Sequence, residues 1–182
     1  PERNNPHAPW VVSPVSGVGS ADPIVSRFFI QSVEMLKAGV FPHIDDKDLV
    51  IRHLHSCKEI LLECDAFASD IASRIDSLIS RIDQMGIGRD NHGRGLNPFP
   101  AVENLGRDCS AFLVSINRAI RKISAMPHVF LGLDHADSNF DHLAKRLRRI
   151  LGASEPLTTY VEENSAGIRY LSELRNFDEH PG

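Results

Sequence analysis

The sequence predicts an all-α protein, a helical bundle of about five helices led by a long antiparallel heptad hairpin. Two stretches place apolar or small residues at alternating steps of four and three. That 3.5-residue repeat is a stripe along one side of a helix, and it demands a partner helix. Proline, glycine and capping residues fall between the periodic stretches, where helices must stop and start. No stretch alternates in the two-residue rhythm of a half-buried strand, and no two-residue hairpin turn occurs.

Residues 1–22 are rich in Pro, Gly, Ser and Asn, which favour turns over helix. They read as a loosely ordered arm, with Trp10, Val11 and Val12 available to pin it, ahead of a single domain over 23–182. Asp22 is the expected cap of a first helix, with Pro23 at the first helical position, where its missing N–H costs nothing. That helix runs to about Lys37 and Gly39 stops it. Asp45 or Asp46 then caps a very long helix. Its stripe is Val50, Leu54, Cys57, Leu61, Cys64, Ala68, Ile71, Ile75, Leu78, Ile82 and Met85. At 1.5 Å per residue such a helix is on the order of 55–60 Å long.

The glycine-rich stretch 86–100 breaks it. A second stripe follows: Val102, Leu105, Cys109, Phe112, Ile116, Ala119, Ile123 and Met126. Two heptad helices joined by a modest loop pack as an antiparallel hairpin. Pro127 kinks or ends the second, and Gly132 closes it. Ser138 or Asp137 is the expected cap of a shorter helix facing inward through Phe140, Leu143, Leu147, Ile150 and Leu151. Ser154 is the expected cap of the last helix, facing inward through Leu157, Tyr160 or Val161, Asn164, Ile168, Leu171 and Leu174.

The 182 residues suffice for one domain with a real core, and the net charge of −4 makes the whole molecule no magnet for nucleic acid. Binding to RNA therefore calls for a local basic patch. Cys57, Cys64 and Cys109 form no CxxC pair, which points away from a disulfide framework and toward a reducing, cytoplasmic setting. All three fall on the heptad stripes, as small buried hydrophobes do. No apolar run reaches the length of a membrane span.

Lys145, Arg146, Arg148 and Arg149 form one basic cluster. Arg118, Arg121 and Lys122 form a second on the preceding long helix. Adjoining, the two faces neutralise several phosphates. His128, His135 and His142 recur every seven residues beside Asp134 and Asp141, but Pro127, Gly132 and the expected Ser138 cap interrupt any helix that would align them as metal ligands. No metal and no cofactor is expected. The 86–100 loop carries Arg89, His92 and Arg94 but follows a helix and lacks the phosphate-loop fingerprint; it reads as a hairpin tip.

The chain ends on Arg175-Asn176-Phe177-Asp178-Glu179-His180, then Pro181 and Gly182. An Arg, a polar residue and a His closing an amphipathic helix of an all-α bundle resemble the HEPN domain family. The matching residues are Arg175, Asn176 and His180. The resemblance implies metal-independent endoribonuclease activity of a toxin or phage-defence kind, with Arg175 and His180 catalytic and Asn176 and Glu179 supporting. His180 draws the proton from a ribose 2′-OH, which attacks the adjacent phosphate, while Arg175 steadies the charge that develops. It also implies a homodimer with two motifs facing one cleft, and an antitoxin as a protein partner. The contrasting expectation is a non-catalytic interaction or scaffolding module, binding another helical protein through its heptad arm.

Overall fold

The computed structural model describes residues 18–39, 41–86 and 100–179. Trp10 to Val12, the loop residues Arg89, His92 and Arg94, the side chain of Glu179, and His180 lie outside them. Among the described residues every regular element is helical.

A π-helical segment, Ile24–Gln31, runs directly into α1, Ser32–Ala38. Asp22 opens it as expected, its carboxylate accepting the Ile24 N–H at 2.7 Å. Gly39 closes it, donating its N–H to the Met35 carbonyl. The segment buries Leu36 against Val50 and Leu54, with Phe28, Phe29 and Phe41 around them.

α2 spans Lys47–Met85. Asp46 caps it, accepting the Leu49 N–H at 2.9 Å. Its 39 residues make a rod about 58 Å long. α3, Leu105–Ser124, returns antiparallel along it. Three polar links fix one register: Arg74 to Asp108 at 2.7 Å, Ser115 to Glu63 at 2.9 Å, and Lys122 to Ser56. The heptad hairpin is therefore as the sequence predicts. In that register Leu105 lies near the turn of Ile75, and α2 runs on past it to Met85. Val50, Leu54, Cys57, Ile60 and Cys64 are buried on α2, whereas the described residues after Cys64 on that helix are at most half-buried.

α4, Met126–Leu131, follows α3 after a one-residue break, with Pro127 in its first turn. It lays Met126, Val129 and Phe130 over Val50 and Leu54. Gly132 ends it in the left-handed region, φ 62°, with the His43 ring where a Cβ would stand.

α5 is Phe140–Ile150 and α6 is Pro156–Glu179. Asn139 caps α5, accepting the His142 N–H at 2.9 Å. This corrects the expected Ser138 or Asp137 cap: Asp137 is buried and its carboxylate faces Arg146 instead. Ser154 is not the cap of α6 either. The helix begins at Pro156, and its first bond runs from Thr159 N–H to the Glu155 carbonyl. Bidentate pairs Arg148–Glu162 and Arg169–Asp141 tie α5 and α6 antiparallel.

The inward face of α6 also differs from expectation. Thr158, Val161 and Ser165 are buried, with Ile168 and Leu171 packed on the core, while Tyr160 is 64% exposed and Asn164 faces solvent. The small hydroxyl residues let α6 approach closely. Ser165 and Ser172 return their hydroxyls to the carbonyls four residues back, so burial leaves those oxygens satisfied. The resulting order of layers is α2, then α3, then the α5–α6 pair. Leu143, Leu147, Val161 and Ile120 form the core between the last two.

Candidate nucleic-acid interface

The α3–α6 contact brings together residues that the sequence holds far apart. On α3, Asn117, Arg118 and Arg121 lie on one side, because steps of three and four return a helix to the same face. On α6, Arg175 sits half-buried in the closing turns. Val114, Asn117, Arg118, Arg121 and Arg175 line one small recess of about 70 Å³. Arg175 donates from Nη1 to Asn176 Oδ1 at 3.2 Å. Asn176, Ser172, Asn117 and Arg121, with the 136–139 turn, line an adjoining recess of about 450 Å³. Three arginines thus border the smaller recess, and Arg121 with several amide and hydroxyl groups borders the larger one beside it. Like charges so gathered repel, and an anion seated among them relieves that repulsion.

A second basic recess opens on the other side of the 135–139 turn. It measures about 270 Å³ and is lined by His135, Asp137, His142, Lys145, Arg146 and Arg149. Asp137 belongs to the wall of both large recesses. The two basic clusters read from sequence therefore adjoin, but not with all their members.

Arg146 is only 7% exposed; it pairs with Asp137 and donates to the His135 carbonyl. Arg148 is clamped on Glu162, and that guanidinium holds the Glu162 carboxyl below the usual carboxylate range. Lys122 lies one turn from Arg118 but reaches away from the recesses, onto Ser56 of α2. Arg118, Arg121, Lys145 and Arg149 are exposed and border the recesses. Asn117, Ser172 and Asn139 were not singled out by sequence; the i,i+4 pairing of Asn117 with Arg121 is the signal that marks the first.

His128 turns its Nδ1 to the Leu133 carbonyl, and His135 pairs with Asp134 at 3.1 Å. Among the described residues no group of three or more His, Cys, Asp or Glu side chains could hold a metal ion. Burial pushes the thiols of Cys57 and Cys64 up, so both are poor nucleophiles, and Cys109 is half-buried. No described helix is long and apolar enough to cross a membrane. No family model, no curated protein and no solved structure matches the chain.

Proposed function

We propose that the protein is a HEPN-like, metal-independent endoribonuclease of the toxin or defence type, acting on RNA in the cytoplasm as a homodimer. The observation that carries this reading is the gathering of Arg118, Arg121 and Arg175 around one small recess, with Asn176 lining the recess that adjoins it. Arg175 is one end of the Arg–His motif, and its neighbours are arginines that the motif alone does not specify. A planar guanidinium fork suits a phosphodiester better than a lone ammonium does.

In this reading Arg118 and Arg121 hold the RNA backbone and Arg175 faces the scissile phosphate. Lys145 and Arg149 take the neighbouring phosphates across the 135–139 turn. His180 follows the described end of α6 directly in sequence and acts as the base on the 2′-OH. The O2′–P bond forms as the P–O5′ bond breaks, leaving a 2′,3′-cyclic phosphate and a 5′-hydroxyl. The 5′-oxygen takes its proton from a solvent water.

The test is cleavage of single-stranded RNA in EDTA. His180→Ala should lose roughly 100- to 10,000-fold in rate. Arg121→Ala should weaken RNA binding and flatten its salt dependence by about 0.7 in log–log slope, one phosphate contact's worth on a single strand. Wild-type cleavage by His180→Ala removes the histidine from the mechanism.

A second reading, a non-catalytic interaction or scaffolding module, is favoured by the end of α2. There Ile79 is 51% and Met85 78% exposed, apolar side chains on an arm that extends beyond α3. In that reading an antitoxin or another helical protein binds the arm, and neither Arg175 nor His180 matters.

A further inference from the structure

α6 carries a second stripe opposite its packed face. Tyr160, Glu163, Gly167, Tyr170, Leu174 and Phe177 recur at steps of three and four without a slip. Tyr160, Tyr170 and Phe177 are 64%, 60% and 71% exposed, and Leu174 is 36%. This is the same heptad pattern that pairs α2 with α3, here with no described helix of the protomer on it. A 3.5-residue seam fits one kind of partner, another helix.

The pattern is nearly palindromic about Gly167. Seven residues away stand Tyr160 and Leu174; ten residues away stand Leu157 and Phe177. Across a two-fold axis at Gly167 these positions face one another, so Tyr160 meets Leu174 and Leu157 meets Phe177, apolar against apolar. We propose that α6 packs antiparallel on α6 of a second copy, with the axis at Gly167.

Three further observations favour a second copy over an unrelated helix. Glu163 is the one charge in the seam, and among the described residues it has no ion pair or hydrogen bond within its own chain. In the antiparallel register it lies beside Tyr170 of the other copy, so each protomer supplies both a phenol donor and a carboxylate acceptor. Asp178 comes level with the start of the opposing α6, where the free N–H groups favour a carboxylate. Nothing lies within 4 Å of where a Cβ on Gly167 would stand, so the crossing point is open to a second backbone. The exposed parts of these aromatic and leucine side chains amount to on the order of 500 Å² per protomer. Two copies then bury roughly 1,000 Å², the size at which a specific interface becomes credible.

The arrangement makes a geometric statement about the basic recess. Arg175 is eight residues from Gly167, so the two copies of Arg175 stand about 24 Å apart along the helix axis. Each recess is then complete within one protomer, in contrast to two motifs sharing one cleft. The inference rests on the homodimer in the reading above but not on cleavage, and its test reads association alone.

Sedimentation equilibrium of the whole chain should give twice the 20.2 kDa monomer mass. Tyr170→Ser with Phe177→Ser should weaken the dimer at least tenfold (about 1.4 kcal/mol) with helical circular dichroism unchanged. Gly167→Cys should form a disulfide-linked dimer under mild oxidation, whereas Asp178→Cys should not. A monomeric wild type, a double variant that dimerises as before, or linkage through position 178 in place of 167 overturns the proposal. Loss of helix in the double variant leaves the Gly167→Cys linkage to decide. A failed dimer leaves cleavage standing, and a chain that cuts no RNA leaves the seam standing.

Discussion

Asp141 shows how much one carboxylate can organise. It accepts two hydrogen bonds from Arg169, at 2.6 and 3.0 Å, and so fastens the first turn of α5 to the middle of α6. That guanidinium holds its pKa below the ordinary carboxylate value. A lowered folded-state pKa contributes stability above the unfolded value, and the contribution is lost as pH falls through the folded one. Asp141→Asn should therefore melt a few degrees below wild type at pH 7. The gap should start to close below about pH 4, where the unfolded carboxyl takes up its proton. Thermal melts of both proteins from pH 7 to pH 2.5 test this; a gap that widens on acidification refutes it. Single residues were legible where one candidate stood alone, as Asp46 does in capping α2. At 137–139 three adjacent residues, Asp137, Ser138 and Asn139, all cap well. The choice fell to Asn139 because Asp137 is drawn to the buried Arg146, a tertiary pairing that no local pattern encodes.

At the scale of the element, the period of the apolar residues decided what could be read. α2 and α3 each carry one stripe, so their pairing and antiparallel sense follow from sequence. α6 carries two, an outer heptad seam of aromatics and an inner face built of Thr158, Val161, Ser165 and Ile168. Hydrophobicity alone favours the outer one. The inner face wins because small residues let the helix close on Leu143 and Leu147, while the Ser165 hydroxyl bonds back to the Val161 carbonyl. Gly167 sits on the outer seam in mid-helix, where glycine costs about 1 kcal/mol relative to alanine. Gly167→Ala should thus stabilise the dissociated protomer by about that amount in urea melts at low concentration. If the seam is a close-packed interface, the same change should weaken self-association, since each added methyl meets its symmetry mate at the crossing. Opposite signs for protomer and dimer are the expected signature; stabilisation at every concentration points to a seam that stays open.

For the molecule as a whole, the layers put the candidate site and the long arm at separate places. The basic recess lies between α3 and α6, around residues 114–121 and 172–176. No sequence pattern could announce that meeting, because it depends on how α6 crosses α3 rather than on any local repeat. The arm is the part of α2 beyond Ile75, with the residues that lead into α3. None of its described residues is buried, and the core side chains of α2 end at Cys64. Cutting the arm at Ile79 and resuming at Glu103 through a short glycine-rich turn therefore removes little of the core and keeps the Arg74–Asp108 link that closes the hairpin. The trimmed chain should unfold in one cooperative transition close to wild type. It should also separate the two functional readings. A nuclease whose arginines are Arg118, Arg121 and Arg175 keeps its RNA cleavage and its salt dependence after trimming. A module that works through Ile79 and Met85 loses its partner. Loss of cleavage from a trimmed chain that still melts normally would move the RNA site into the removed segment, which includes Arg89, His92 and Arg94.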